Sequence, residues 1–231
     1  MLLFMGIIIA TFAYFDLGET NKNVSKGFYK QFKEYPELFK SKRFWAYCFT
    51  TVFASGSFFA FIGGAPFVSK NSFELSSSAF GIYFGLTTLG YVVGSFISGK
   101  FSERFGIYFM LLQGSWITSL GLLLSLFIFW LGFGSATVFF GCMIIAGIGN
   151  GMVLPNANAG LLSVRPSLAG SASGIGGAIM LGGGAFLAYL AGLISTEHVG
   201  PYPLMYLMVF TAFASLFIVN YIIFLERGIS N

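Results

Sequence analysis

Between residues 44 and 225 the chain strings together six apolar runs, at about 44–68, 76–98, 107–131, 136–160, 170–194 and 203–225, separated by short polar breaks. Each is as long as the ~20 residues that a helix needs to cross a hydrocarbon core of about 30 Å. The runs are continuous rather than alternating at period two, which excludes a transmembrane barrel. Only 9% of the residues are charged, against roughly 25% in soluble domains, and mean hydropathy is +0.84. Such a chain has no polar shell for a cytosolic enzyme or a nucleic-acid reader, and two cysteines cannot build a secreted disulfide scaffold. The expectation is an all-α, polytopic membrane protein with six complete transmembrane helices.

One more run precedes these and is the first of seven along the chain: Met1 to Phe15, too short to span. It reads as a partial transmembrane helix, the tail of a longer one; a cleavable signal peptide is the other reading, but there is no basic n-region and no A-x-A site before Asp16. The expected organisation is therefore a partial helix at 1–15, a central loop at 16–43 and a six-helix bundle at 44–231. The twelve lysines and arginines set the orientation, because short cytoplasmic loops are enriched in them. Eleven, including Lys22 to Arg43, Lys100, Arg104, Arg165 and Arg227, fall on one side, and Lys70 alone falls on the other. That side is expected to be cytoplasmic, with the C-terminus on it. In the basic loop Phe28, Phe32, Tyr35 and Phe39 recur at helical spacing, which suits either a short helix in the headgroup layer or a solvated linker.

Cys48 is expected about a turn inside the cytoplasmic face and Cys142 about two turns inside the outer face, so their depths differ by roughly 15 Å, beyond the ~7 Å Cα separation a disulfide tolerates. Both read as small buried apolar side chains. His198, beside Glu197, is alone in an outer loop, where a solvated histidine is the simpler reading. No metal site and no cofactor are expected.

The six runs divide into two groups of three. Gly63-Gly64-Ala65-Pro66 ends the second run and Gly149-Asn150-Gly151 with Pro155 ends the fifth, so helix breaks are expected at matching places in oppositely directed spans, as in inverted transporter repeats. Gly81, Gly85, Gly90 and Gly94 space the third run, and Gly170, Gly174 and Gly177 the sixth, a spacing that lets helix backbones approach closely. The fourth and seventh runs, poor in glycine, are expected to be lipid-facing supports.

Gly99-Lys100-Phe101-Ser102-Glu103-Arg104-Phe105-Gly106, expected in a short turn between two spans, resembles the major facilitator signature G-x-x-x-[DE]-R-x-G in its second-half copy. It continues with Ile107 and Tyr108, where family copies often carry two basic residues. Phe58-Phe59-Ala60-Phe61 leading to Pro66-Phe67-Val68, then Pro155-Asn156-Ala157 and Ala169-Gly170-Ser171-Ala172-Ser173, resemble the bicyclomycin-resistance (Bcr/CflA) branch of drug-efflux transporters, and Glu19-Thr20 is similar to the start of that family's central loop. The resemblance runs from about Asp16 to Arg227 and corresponds to the family's C-terminal six helices, which are half of a major facilitator fold built as two inverted three-helix repeats. It implies a drug:proton antiporter of the bacterial plasma (inner) membrane, working by alternating access with a cavity between two six-helix halves. Its expected partners are a small apolar drug-like substrate, protons, the lipid bilayer, and an N-terminal six-helix half or a second copy; no nucleic acid is expected. Proton coupling requires an ionisable group buried in the membrane, and no span here holds one. The family's coupling acid and its glycine-proline motif belong to the N-terminal half and are not carried over.

What this half is expected to contribute is one wall of the substrate cavity. Phe58 and Phe61 offer flat apolar contact to a planar drug. Thr87 and Asn150, polar at mid-membrane depth, serve either substrate binding or helix-to-helix hydrogen bonding. Asn156 and Asn158 are the expected cytoplasmic gate. Gly99, Glu103, Arg104 and Gly106 form the expected gating loop, with Glu103 and Arg104 either holding a closed state by charge-assisted contacts or only setting topology. Two other classes fit less well. A retinal protein needs a buried lysine in the last span, and Pro203 to Leu225 has none; a lipid-modifying enzyme needs converging carboxylates, histidines or cysteines. An inactive or split-subunit fragment, or a facilitator for another small solute, remains open beside the antiporter.

Overall fold

The structure is a computed structural model that describes residues 4–6, 11–12, 35–195 and 199–227. The chain divides into two compact units, 1–35 and 36–231. In the first, residues 4–6, 11–12 and 35 are helical. Most of the expected partial span at 1–15, the loop residues Phe28 and Phe32, and His198 lie outside the described residues.

The second unit contains six helices long and apolar enough to cross a membrane. They are α1 (Lys42–Asn71), α2 (Ser77–Phe105), α3 (Ile107–Trp130), α4 (Ala136–Ser163), α5 (Ala169–Ile194) and α6 (Tyr202–Arg227), with a single 3₁₀ turn at Pro166–Leu168 before α5. Serines start three of them. Ser41, Ser76 and Ser135 each accept a hydrogen bond, at 3.3 Å, from a backbone N–H three residues on, which satisfies one of the donors that a helix N-terminus leaves unpaired. Gly106, at φ +84°, ends α2 and at once precedes α3; a side chain there would strain the left-handed backbone.

Two sequence expectations are corrected here. The first concerns the helix breaks. Both α1 and α4 run on, α1 through Pro66 and α4 through Pro155. Proline removes one backbone donor and crowds the preceding turn, which neighbouring helices can absorb in a bundle, and the glycines beside the prolines serve contact rather than breakage. A Cβ on Gly63 would run into the backbone of Ala188 in α5, and one on Gly149 into Thr118 and Gly114 of α3. The second concerns the signature segment, expected as a turn. Gly99–Phe105 forms the last two turns of α2, and only Gly106 turns the chain; nothing before Gly106 breaks the helix.

α1 and α4 are the centre of the bundle. α1 packs chiefly on α5 and α6, α4 chiefly on α2 and α3, and α3 meets α6. Exchanging α1 with α4, α2 with α5 and α3 with α6 maps these major packings onto one another, which is the pattern of two interleaved, inverted three-helix repeats. The glycines of α2 behave unequally within this pattern. Gly90 and Gly94 lie against the backbones of Ile144 and Ile148 in α4, as close packing requires, whereas Gly81 and Gly85, and Gly170, Gly174 and Gly177 of α5, have nothing within 4 Å of a notional Cβ. For those five the expected helix contact is absent among the described residues. They lie on the two helices with the least buried apolar windows, 17% each for α2 and α5 against 50% for α3 and 39% for α6.

Two apolar clusters fill the interior. One joins Phe61, Leu126, Phe139, Phe140 and Met208 near one end of the bundle; the other joins Phe44, Tyr47, Leu111, Leu161 and Ile222 near the opposite end. Cys48 and Cys142 are buried and free. Across the second cluster, Arg43 at the start of α1 meets Glu226 at the end of α6 at 2.5 Å, an ion pair whose N–H points off the line of a hydrogen bond. It ties the first and last helices together at the membrane edge.

Candidate functional site

Between the two apolar clusters the helices carry a belt of buried polar side chains: Ser55 and Ser57 on α1, Thr87 on α2, Thr118 and Ser119 on α3, Asn150 on α4, and Thr211 and Ser215 on α6. In hydrocarbon each needs an internal partner. Most find one on a helix carbonyl. Ser55 donates to Thr51 O at 2.6 Å, Thr87 to Phe84 O at 2.7 Å and Thr211 to Met208 O at 2.8 Å, while Thr118 crosses from α3 to donate to Ala146 O of α4 at 3.2 Å.

A partly open cavity of about 320 Å³ sits at this level. Ser55, Phe58 and Phe59 of α1, Thr87, Thr88 and Tyr91 of α2, Met143, Gly147, Asn150 and Leu154 of α4, and Met180 of α5 line it. These positions fall in the middle of their helices, so the cavity lies at mid-depth of the bundle. Its walls are aromatic and aliphatic with a few polar points, the usual make-up of a small-molecule pocket. None of its lining residues is an acid, a lysine or an arginine.

Of the four expected cavity residues, the structure brings Phe58, Thr87 and Asn150 together on this wall and leaves Phe61 off it. Phe61 is fully buried and stacks behind the wall, its ring centroid 6.4 Å from Phe58 and 5.6 Å from Phe84. Phe59, one residue from Phe58, lines the cavity instead. Sequence reasoning passed over Ser55, Phe59 and Tyr91, although the i, i+4 pairs Ser55–Phe59 and Thr87–Tyr91 were a usable signal. Gly147 is small for a reason unrelated to ligand: a Cβ there would press to 3.1 Å from both Thr87 O and Tyr91 N.

Asn150 is 4% exposed, and its Nδ2 donates to Ser57 Oγ at 3.2 Å. Its Oδ1 is buried and has no hydrogen-bond partner among the described residues.

Six residues on, Asn156 is the hub of a different arrangement. Its Nδ2 donates to Ser98 Oγ of α2 at 2.7 Å and to Met152 O of its own helix at 2.7 Å. The Ser102 hydroxyl lies 3.0 Å from Asn156 Oδ1 and 2.6 Å from Ser98 O. Asn156 thus joins α4, next to Pro155, to the serine inside the signature segment. Asn158 is exposed and does not join this cluster. Gly99, Glu103, Arg104 and Gly106 are likewise exposed. The Arg104 guanidinium sits 5.3 Å over the Phe105 ring; among the described residues the ion pairs are Arg43–Glu226 and Arg165–Glu37, so neither Glu103 nor Arg104 takes part in one.

Three comparisons bear on this architecture. The family model described as Major Facilitator Superfamily matches residues 1–188. An uncharacterized MFS-type transporter, YdgK, of Bacillus subtilis is 31% identical over 104 residues, which is 44% of this chain and 26% of that protein. The bicyclomycin resistance protein homolog of Haemophilus influenzae is 25% identical over 208 residues, 85% of this chain and 50% of that protein. The chain thus spans half or less of the length of these curated relatives.

Proposed function

The chain belongs to the major facilitator superfamily, a family of membrane transporters and not of enzymes, and we propose that it is the C-terminal half of a Bcr/CflA-type drug exporter. One observation carries the reading: a mid-depth cavity, aromatic on one side and polar at a few points, placed where α1, α2, α4 and α5 meet. The open flanks of α2 and α5, with glycines facing empty space, support a second six-helix unit closing that cavity, either an N-terminal half or a second copy. The likeness to a protein named for bicyclomycin resistance supports a small apolar drug as cargo.

In this reading Phe58, Thr87 and Asn150 contact the drug and Phe61 backs the wall. Asn156 and Asn158 belong to the cytoplasmic gate, and Gly99, Glu103, Arg104 and Gly106 belong to the gating segment at the end of α2. The basic side of the bundle faces the cytoplasm, the C-terminus included, in a bacterial inner membrane. In this reading 44–231 is the C-terminal bundle and 16–43 the central loop that leads into it. The drug is exchanged for protons, and the proton-carrying acid comes from the other half, since this wall offers none.

The test is efflux of a fluorescent apolar dye from bacteria lacking their own pumps, with the chain expressed alone and joined to an N-terminal six-helix half. Efflux that stops when the proton gradient is collapsed is the expected result for the joined form. No efflux from either form, with both present in the membrane, would overturn the proposal; efflux from the chain alone would make the second unit another copy.

A further inference from the structure

The hydrogen-bonding capacity of the cavity wall leans toward acceptance. Ser55, Thr87 and Thr88 spend their single protons on carbonyls of their own helices, at 2.6, 2.7 and 3.3 Å, so toward the cavity they keep only lone pairs. The Asn150 amide is oriented by the same accounting. Ser57 gives its proton to Ala54 O at 3.3 Å, so its oxygen accepts from Asn150 Nδ2 and the amide oxygen is left buried without a donor among the described residues. That oxygen differs from the hydroxyls of the belt that lack partners among the described residues, Ser119 and Ser215. A serine hydroxyl can turn to a carbonyl one turn back on its own helix. An amide oxygen can only accept, and the backbone N–H groups of a helix interior are already used. An acceptor shut away from water without a donor costs stability, and Asn150 borders the cavity.

We propose that Asn150 is a specificity-determining residue that selects uncharged, flat, apolar ligands carrying an N–H or O–H donor, and discriminates against isosteres that can only accept. Phe58 and Phe59 supply the apolar face against which the flat part of the ligand lies. A full positive charge is disfavoured at this wall because no carboxylate lines it and an unpaired charge at mid-depth is expensive. The protons this wall has left to give are the hydroxyl of Tyr91, whose residue is 40% exposed, and the second amide hydrogen of Asn150. The proposal rests on the transport reading for its biological meaning but not for its test, which measures binding alone.

The probes are 2-naphthol, 2-methoxynaphthalene and naphthalene, titrated by fluorescence into the purified 231-residue chain in phosphatidylethanolamine–phosphatidylglycerol nanodiscs, with empty nanodiscs subtracted. The expected result is that 2-naphthol binds about tenfold more tightly than either donor-less probe. Naphthalene excludes size as the cause, since it fits wherever naphthol fits. In Asn150→Leu, of similar volume, the preference is expected to fall to near one by weakening 2-naphthol. In Ser57→Ala, which frees the amide to turn, it falls severalfold. Equal affinities for the three probes in the unmodified chain, or a preference that survives Asn150→Leu, would overturn the proposal. Because the first of these needs no variant, misfolding of a mutant leaves the answer intact. A donor preference found together with failed efflux supports this assignment and overturns the exporter; efflux without the preference does the reverse.

Discussion

Asn150 and Asn156 lie on one helix, six residues apart, at 4% and 3% exposure, and their surroundings divide the bundle into a seam and a wall. Around Asn156 every polar atom is engaged: Ser98, Ser102 and Met152 O close the amide on both sides, and just above it Gly94 and Gly151 let α2 and α4 touch backbone to backbone. Around Asn150 one bond is made and one buried acceptor lacks a partner among the described residues, on a helix face that borders a cavity. A buried amide that is satisfied by its own fold fastens helices. One that is half satisfied holds a place for something else, at a cost the packed seam offsets. The same residue type, equally buried on one helix, thus does two jobs, and what differs is the partner across the interface.

The sharpest way to break this comparison is to load the seam. Gly151→Val would drive a branched side chain into the Tyr91 carbonyl, and the expected loss is about 3 kcal/mol, seen as a collapse of the folded fraction in a detergent unfolding titration. Gly85→Val, on the open flank of the same α2 where nothing lies within 4 Å, is expected to change stability by less than about 1 kcal/mol; equal losses at the two positions would erase the distinction between seam and open face. A smaller contrast concerns the amides themselves. Asn156→Ala removes the hub of a connected network and is expected to cost about 1–2 kcal/mol, whereas Asn150→Leu deletes one long bond together with its own orphan oxygen and is expected to cost under about 1 kcal/mol. Measured by the same titration, a larger loss at Asn150 would mean that it too is a fastener. The smallest effect is expected at Thr87→Val. Its hydroxyl bonds only its own helix, so stability should move by about 0.5 kcal/mol or less, and a greater loss would place Thr87 in the seam.

Much of the fold was legible in advance because lipid leaves so few options. Each of the six apolar runs became a helix within a few residues of its expected ends, apart from α2, which continues through Phe105, since a backbone in hydrocarbon must satisfy its hydrogen bonds within its own segment. The site was legible in part. Asn150 and Thr87 stood out as polar residues in apolar runs, and Phe58 lay beside them on the wall, but Phe61 went inward and Phe59 outward because helical phase, not proximity in sequence, decides which aromatic faces the cavity. The expected breaks at Pro66 and Pro155 failed for a related reason: a Gly-Pro cluster reads alike whether it bends a helix or admits a neighbour, and only the presence of α5 against Gly63 and α3 against Gly149 tells which.

The sequence by itself thus determined a helical membrane protein with the six spans found among the described residues, because length, apolar continuity and the scarcity of charge act locally along the chain, and its motif residues carried the resemblance to the major facilitator family. Which glycines meet a backbone, which asparagine is satisfied and where the cavity lies were decided only by the tertiary structure, because each depends on what a helix distant in sequence brings to the other side of the contact.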